Sequence, residues 1–403
     1  MLSSSLPVAS PAVAIDRSVG SGPAHFPVQI RAGSASWDEL TAIARGLDAD
    51  RFVVVSDQGV PTALTHRVLH HLGAAAPARW VGTSGPDGVG AEEIPSEAVI
   101  VALGGTSVLD AVGRAAAHTR RGPLLLPTTL PAALDTALSL VGPTGPRRVP
   151  VLVRAQLEFL DTLTPGAVRP GLYALVRNVL SVCPASYDQI CARLRPDGRY
   201  DRSALASFIA LCADARAALT CYDPLEDGPA GVFRYGHTVA DALRVLGVGA
   251  LRYGDAVALG LLVAARCARR TGLLDAAGEA AHRELLARWG APDVLPAPVT
   301  AQDVLGVLRT SATGPGAHDF TAHEFTGEPD RSLGMVLLDT LGQPHVCGGH
   351  TVATVGLDTL RAGLEAVAAA EDGLVPRPGG RDRAGTRSGP APHVPGAPGT
   401  AAW

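Results

Sequence analysis

The chain has 403 residues, 47% of them hydrophobic, which suits one large folded unit of two lobes. Its formal net charge of −4 gives no electrostatic case for binding nucleic acid or an acidic membrane surface. All 34 basic residues are arginine, so no lysine is present to form a Schiff base or to act as a general base.

The cysteine pattern and the N-terminal residues indicate the compartment. Six cysteines are spread through apolar segments without a C-x-x-C motif, and we interpret them as reduced core residues of a cytoplasmic protein. The N-terminal residues lack the basic and long apolar regions of a signal peptide. No apolar run reaches the roughly 18 residues that a membrane span requires, so we expect no membrane partner.

The first part of the chain alternates short apolar runs with helical stretches. After a loose arm predicted over residues 1–24, strands are predicted at 52–57, 98–103 and 124–129. Short apolar runs separated by helical segments are typical of parallel strands. We therefore predict an α/β nucleotide-binding lobe over residues 25–164.

The second part of the chain has a helical pattern. Long segments rich in Ala, Leu and Arg recur at helical spacing, as at 255–271 and 276–289. This pattern predicts a mostly helical lobe over residues 165–370. Residues 371–403 are rich in Gly, Pro, Arg and Ala with little to bury, which predicts a disordered tail.

A glycine-rich turn follows the second predicted strand. Gly104 and Gly105 precede a helical segment that contains Asp110, and such a turn lets backbone N–H groups approach a phosphate. Many α/β turns carry two glycines, so the motif alone is weak evidence for a dinucleotide site. Asp57, in the polar turn that closes the first predicted strand, is a further candidate for cofactor binding.

Two segments of the second lobe carry the most specific pattern. Residues 233–243 read FRYGHTVADAL, and residues 251–260 read LRYGDAVALG. Together they resemble the GHTxGHA and HGEAxAxGM motifs of the dehydroquinate synthase-like sugar phosphate cyclases. Runs at 133–140, 175–180 and 333–338 are similar to segments of the 2-deoxy-scyllo-inosose synthases within that family.

The resemblance implies a two-lobed dehydroquinate synthase-like fold, with a Rossmann-like parallel-sheet lobe and a mostly helical lobe. It also implies NAD, a divalent metal such as zinc or cobalt, and a sugar phosphate ligand. The implied reaction converts glucose 6-phosphate into 2-deoxy-scyllo-inosose with loss of phosphate, in aminoglycoside or aminocyclitol biosynthesis. Asp135 would lie beside the nicotinamide and the substrate. The cofactor positions would be Gly104, Gly105, Asp110, Thr128 and Thr129.

The metal-binding positions depart from the family pattern. The family holds its metal with one Glu and two His, and the corresponding residues here are Ala174, His237 and Tyr253. A catalytic histidine of the family corresponds to Asp241. One histidine cannot hold a catalytic divalent ion, so the resemblance implies an impaired or altered activity.

The lysine positions of the family are also changed. One corresponds to Val141, and two others correspond to Arg177 and Arg216. Together with Asp135 and Asp241, these two arginines are our candidate catalytic residues. The candidates for binding the substrate phosphate are Arg121, Arg234 and Arg331.

Two interpretations of His237 stay open. It is either a remnant hydrogen-bonded between the lobes, or part of a rebuilt metal site. Because His237 and Asp241 are four residues apart, they share one face of a helix. Asp255 begins the next helix and could complete a His/Asp/Asp set for a hard or borderline ion.

Two hypotheses about function follow. The first is a sugar phosphate cyclase homologue whose activity is impaired or altered. The second is a catalytically silent paralogue that binds or stabilises an intact cyclase. A homodimer is expected under the first hypothesis and a heteromer under the second.

Overall fold

The fold combines an α/β lobe built on a parallel sheet with a lobe that is mostly helical, as the sequence predicts. The computed structural model describes residues 12–83, 88–89, 94–143, 145–247, 249, 251–313 and 332–368. The predicted tail over 371–403 lies outside the described residues.

The strands of the N-terminal lobe are β1 (Val13–Ser21), β2 (Ala24–Ala32), β3 (Phe52–Ser56), β4 (Ala78–Gly82), β5 (Val99–Gly104), β6 (Leu124–Pro127), β7 (Val141–Gly142), β8 (Gly145–Pro146) and β9 (Leu152–Gln156). Those of the C-terminal lobe are β10 (Ser332–Met335), β11 (Leu338–Thr340), β12 (Gln343–Pro344) and β13 (Ala353–Gly356). Seven strands form one sheet in the order β1-β2-β9-β6-β5-β3-β4. Every neighbouring pair in it is parallel except β1 with β2.

The helices of the N-terminal lobe are α1 (Ala35–Gly46), α2 (Thr62–Gly73), α3 (Thr106–Ala115), α4 (Leu130–Leu134) and α5 (Leu157–Leu160). The C-terminal lobe begins with α6 (Pro165–Gly171), α7 (Tyr173–Ser181), α8 (Tyr187–Arg193), α9 (Arg202–Thr220) and α10 (His237–Val245). It continues with α11 (Tyr253–Arg270), α12 (Ala276–Trp289), α13 (Ala301–Thr313) and α14 (Leu357–Ala368).

The continuous apolar runs of the sequence mark strands that are covered on both faces. In β3, Val53 and Val55 pack into the larger hydrophobic core, whereas Phe52 and Val54 pack into a second core. Successive side chains of a strand point to opposite faces, so a strand between two cores must be apolar at every position. All three predicted strands are present, each within two residues of its predicted ends.

The prediction of a loose arm over residues 1–24 is wrong for residues 13–21. These residues form β1, which pairs antiparallel with β2 along its whole length. The sequence pattern concealed this strand because all of its first six side chains are half-buried or exposed. Residues 1–11 of the predicted arm lie outside the described residues.

Helix α9 bears on the prediction that the protein has no membrane partner. By length and composition alone it could cross a bilayer, although one such helix is weak evidence for a span. The helix packs against β1, and 56% of its apolar window is buried inside the protein. It also carries Arg216, which forms ion pairs with two carboxylates. These are the features of a core helix.

A close crossing of α10 and α11, and a close approach of α11 to α6, explain the glycines of the two most specific motifs. Gly236 precedes α10 with a left-handed φ of 85°, which favours glycine. A Cβ atom added at Gly260 would collide with the carbonyl of Gly236, and one added at Gly254 would collide with the carbonyl of Pro170. The crossing therefore fixes where His237, the first residue of α10, enters the site.

We predict that Gly260→Ala lowers the free energy of unfolding by about 2 to 4 kcal/mol, because the new methyl group must displace the backbone at Gly236. Urea denaturation measures the change. The matched control is Gly306→Ala, at an exposed position of α13 with no atom near the added Cβ. It should raise stability by about 0.5 to 1 kcal/mol through helix propensity. Equal effects of the two changes would contradict the close crossing.

Tyr235, the residue before Gly236, is hydrogen-bonded to the buried His282. The Tyr235 hydroxyl donates to Nε2 of His282 at 2.9 Å, and Nδ1 of His282 donates to the carbonyl of Gly278 at 2.7 Å. Burial lowers the pKa of His282 from 6.5 to about 4. The unfolded chain therefore binds more protons than the folded chain between these two pKa values.

We predict that stability is full above pH 6.5 and falls as the pH is lowered toward 4. At pH 5 the contribution of His282 to this loss is about 2 kcal/mol. Urea unfolding of the wild type and of His282→Gln at pH 7 and pH 5 checks it. The variant should lose less stability between these pH values, and an identical loss would contradict the prediction.

Candidate functional site

A cleft of about 980 Å³ is lined by residues of both lobes. The carboxylates on its wall are those of Asp110, Asp135, Glu226 and Asp241. The guanidinium groups on its wall are those of Arg147, Arg216, Arg234, Arg244 and Arg252. The cleft therefore carries charged groups of both signs on a wall that is otherwise largely apolar, which suits a small ligand with both hydroxyl and anionic groups.

The floor of the cleft is organised around the carboxylate of Asp135. Arg177 donates to both of its oxygens, at 2.9 and 3.2 Å, and Arg216 donates to Oδ1 at 2.5 Å. The Tyr173 hydroxyl donates to Oδ2 at 3.0 Å. The structure thus brings together three of the four predicted catalytic residues.

Glu226 completes this floor and was missed by the sequence analysis. Its Oε1 accepts from Arg216 and from the Ser139 hydroxyl, both at 2.6 Å. The residue is buried and has a φ of 56°, a left-handed conformation that is uncommon for glutamate. An acidic residue in a Gly/Pro-rich loop was the only signal in the sequence, and it did not indicate Arg216 as its partner.

On the floor of the cleft, the negative charges of the carboxylates balance the positive charges of the arginines. Burial alone would raise the pKa of Asp135, but Arg177 and Arg216 outweigh burial and hold it well below its usual range. The side chains of the two arginines are 0% and 3% exposed. Asp135 is therefore ionised throughout the physiological range and is the counter-charge of both guanidinium groups.

His237 forms one side of the cleft with two tyrosines. Its ring stacks edge-to-face with Tyr173 and Tyr253, with centroids 6.2 and 5.8 Å apart. Nε2 lies 3.4 Å from Nη1 of Arg177, and Nδ1 lies 3.4 Å from the Tyr253 hydroxyl. Burial and then Arg177 lower the pKa of His237 to about 3, so the imidazole is neutral at pH 7.

The predicted His/Asp/Asp metal set is not formed. Asp255 makes a bidentate ion pair with Arg169, at 2.7 and 2.9 Å. Within the described residues, no group of three or more His, Cys, Asp or Glu side chains is arranged to hold a metal ion. Ala174 is buried in α7, and its neighbour Tyr173 lines the cleft instead.

The predicted dinucleotide turn lies at the carboxyl ends of β5 and β6. Gly104 and Gly105 connect β5 to α3, and the carbonyl of Gly104 accepts from the N–H of Thr128 at 2.9 Å. Gly105 faces Thr129, which lines the cleft. The first turn of α3 directs its N–H groups toward this edge of the sheet, as phosphate binding requires.

Two predicted cofactor residues have protein partners. Asp110 lines the cleft and forms an ion pair with Arg147, a residue that the sequence analysis missed. Arg147 also donates to the carbonyls of Thr136 and Ser139, at 2.7 and 3.2 Å. Asp57 accepts from a backbone N–H two residues further on and does not line the cleft.

The three predicted phosphate-binding arginines have different positions. Arg234 lines the cleft. Arg121 does not; it is exposed and donates to the carbonyl of Leu47. Arg331 lies outside the described residues. Arg244 and Arg252, which the sequence analysis did not single out, are exposed where they line the cleft.

Comparisons with known proteins identify the family. A family model described as the C-terminal region of 3-dehydroquinate synthase matches residues 184–311. A 2-deoxy-scyllo-inosose synthase from Streptomyces lividus is 34% identical, over 86% of this chain and 94% of the relative. The chain belongs to the dehydroquinate synthase-like sugar phosphate cyclases. A second 2-deoxy-scyllo-inosose synthase, from Streptoalloteichus tenebrarius, is 32% identical over 80% of this cyclase homologue and 87% of the relative.

Solved structures show that the cyclase fold extends over most of the chain. A 2-deoxy-scyllo-inosose synthase bound to carbaglucose-6-phosphate, NAD+ and Co2+ superposes with a TM-score of 0.74 and 24% identity. The match covers 87% of this chain and 100% of that structure. A 2-epi-5-epi-valiolone synthase from Streptomyces hygroscopicus with NAD+ and Zn2+ gives a TM-score of 0.65 and 17% identity, covering 85% and 96%. The homologues support a cyclase-like function.

We predict that Asp135→Asn destabilises this cyclase homologue by about 3 to 5 kcal/mol, because Arg177 and Arg216 would lose their shared buried counter-charge. Thermal and urea unfolding measure the loss. The matched control is Asp358→Asn, which removes a 97% exposed carboxylate paired with Arg361. It should change stability by less than about 0.5 kcal/mol. A similarly small effect at both positions would show that Asp135 does not hold the floor together.

Proposed function

We propose that the protein is a 2-deoxy-scyllo-inosose synthase-like cyclase homologue that binds a sugar phosphate and NAD but is impaired in metal-dependent cyclisation. The observation that carries the proposal is the position of Arg177. Its guanidinium lies between Asp135 and His237, where it contacts both side chains. A permanently charged guanidinium therefore contacts His237, the one histidine that remains at the family's metal-ligand positions.

The residues present do not fit a metal centre of the family type. Both ring nitrogens of His237 already have partners, and the carboxylate that Arg177 also contacts, Asp135, is neutralised by two arginines. A divalent ion at this position would meet the charge of Arg177 at close range without a compensating set of anionic ligands. We therefore derive no step through a metal.

The dinucleotide turn does fit NAD. At Gly105 the start of α3 approaches Thr129 closely, and a Cβ atom added there would press against the Thr129 side chain. Backbone N–H groups of this turn would bind the pyrophosphate. When bound, NAD supplies a hydride acceptor for a ligand hydroxyl.

The charges of the cleft favour a sugar phosphate as the ligand. Arg147 and Arg216 each have a carboxylate partner, so the floor is close to neutral. Among the described lining residues, Arg244 and Arg252 are exposed and Arg234 is half-buried. Of the described carboxylates that line the cleft, that of Asp241 is the most exposed. A phosphate would be attracted to these arginines, while the sugar hydroxyls would bind the remaining polar wall. This arrangement favours ligand binding over the alternative of a silent partner subunit of an intact cyclase.

We predict that glucose 6-phosphate binds but is cyclised at least about a thousandfold more slowly than by the Streptomyces lividus relative, because metal polarisation is lost. Phosphate release with NAD and Co2+ measures turnover, and isothermal titration calorimetry measures binding. Arg234→Gln should weaken binding about tenfold, whereas the matched change outside the cleft, Arg121→Gln, should not.

The possible outcomes separate the hypotheses. Turnover near that of the relative would contradict the proposed impairment. Absence of glucose 6-phosphate binding by the wild type would contradict the proposed ligand and support the silent partner. Equal binding losses in the two arginine variants would show that the cleft does not hold the phosphate.

A further inference from the structure

The side chains around His237 have hydrogen-bonding roles that can be assigned from chemistry alone. A guanidinium has only donors, so Nη1 of Arg177 must donate to Nε2 of His237, which lies 3.4 Å away. Nε2 is then the acceptor of the neutral ring, and the ring proton is on Nδ1. That proton points to the Tyr253 hydroxyl oxygen, 3.4 Å from Nδ1.

The direction of the next contact follows from this assignment. Because its oxygen accepts the hydrogen bond from His237, the Tyr253 hydroxyl still has its own proton to donate. Its partner is Oδ1 of Asp241 at 3.3 Å, and a carboxylate can only accept. The four side chains thus form a chain of three hydrogen bonds that runs in one direction, from Arg177 through His237 and Tyr253 to the acceptor Asp241.

We propose that this chain is a positioning relay that fixes Asp241, at the position of a catalytic histidine of the family, as the group that binds a sugar hydroxyl. The inference rests on the proposed binding of a sugar phosphate and names the side chain that recognises its polyol part.

The location of Asp241 supports this role. Its side chain is 47% exposed and lines the cleft, one turn before Arg244, whose guanidinium lies 3.6 Å from Oδ1. A carboxylate accepts hydrogen bonds from hydroxyl groups but repels a phosphate. Because Arg244 pairs with Asp241, the phosphate would lie toward Arg234 and Arg252 and the hydroxyls toward Asp241, which orients the ligand in the cleft.

Tyr253→Phe tests the relay with little change in packing. The variant keeps the ring that packs 5.9 Å from Tyr173 and 5.8 Å from His237, and it removes only the hydroxyl. The probes are glucose 6-phosphate and inorganic phosphate, titrated by calorimetry. We expect the variant to bind glucose 6-phosphate about three- to tenfold more weakly and to bind inorganic phosphate as the wild type does.

The matched control is Tyr187→Phe, which removes a hydroxyl bonded to Glu284 away from the cleft. It should bind both probes as the wild type does. An equal loss for both probes in Tyr253→Phe, or no loss at all, would overturn the proposal.

A second measurement does not depend on any ligand. In nitrogen NMR spectra of the wild type, Nδ1 of His237 should carry the proton and Nε2 should have the shift of an unprotonated ring nitrogen, with His237→Gln used for assignment. A proton on Nε2 would overturn the relay. If the wild type binds neither probe but shows the expected tautomer, the proposed ligand fails while the relay stands.

Discussion

The ion pairs between Asp135 and its two buried arginines are the interaction on which the rest of the site depends. Asp135 ends α4 in the first lobe, whereas Arg177 and Arg216 come from α7 and α9 in the second. The same contacts that balance the charge of the cleft therefore also connect the lobes. Buried charges that lack a partner are strongly destabilising, so none of the three can change alone without affecting fold and site together.

The position of Arg177 next to His237 matters for the proposed function. The Arg177 guanidinium is bidentate to Asp135 and also contacts His237. It therefore places a positive charge of the protein itself next to the imidazole. Under the proposed function, this charge would take the role of a bound divalent ion, and the hydrogen-bonded chain to Asp241 would orient the ligand in its place. The close crossing of α10 and α11 at Gly236 and Gly260 holds His237 and Tyr253 next to each other.

Much of the fold could be predicted because it depends on local patterns. The runs at β3, β5 and β6 are apolar at nearly every residue because they lie between two cores, and the helices α11 and α12 follow their apolar spacing closely. Strand β1 could not be predicted, since its half-exposed pattern is stabilised by pairing with β2 and by packing of α9.

The site was predictable only in part. Motif resemblance identified Asp135, Arg177, Arg216 and His237, which the structure does bring together. It did not indicate which charges pair with each other, because partners such as Asp135 and Arg216 are 81 residues apart in sequence. For that reason Asp255 was assigned to a metal set although it pairs with Arg169, and Glu226 and Arg147 were overlooked.

The replacement of a metal ion by Arg177 is best tested by calorimetric titration of the purified, NAD-saturated protein with Co2+, with His237→Ala titrated in parallel. We expect no stoichiometric site in the wild type and the same weak heats in the variant, because Arg177 already contacts Nε2 of His237. One equivalent of tightly bound Co2+ in the wild type, lost in His237→Ala, would contradict it.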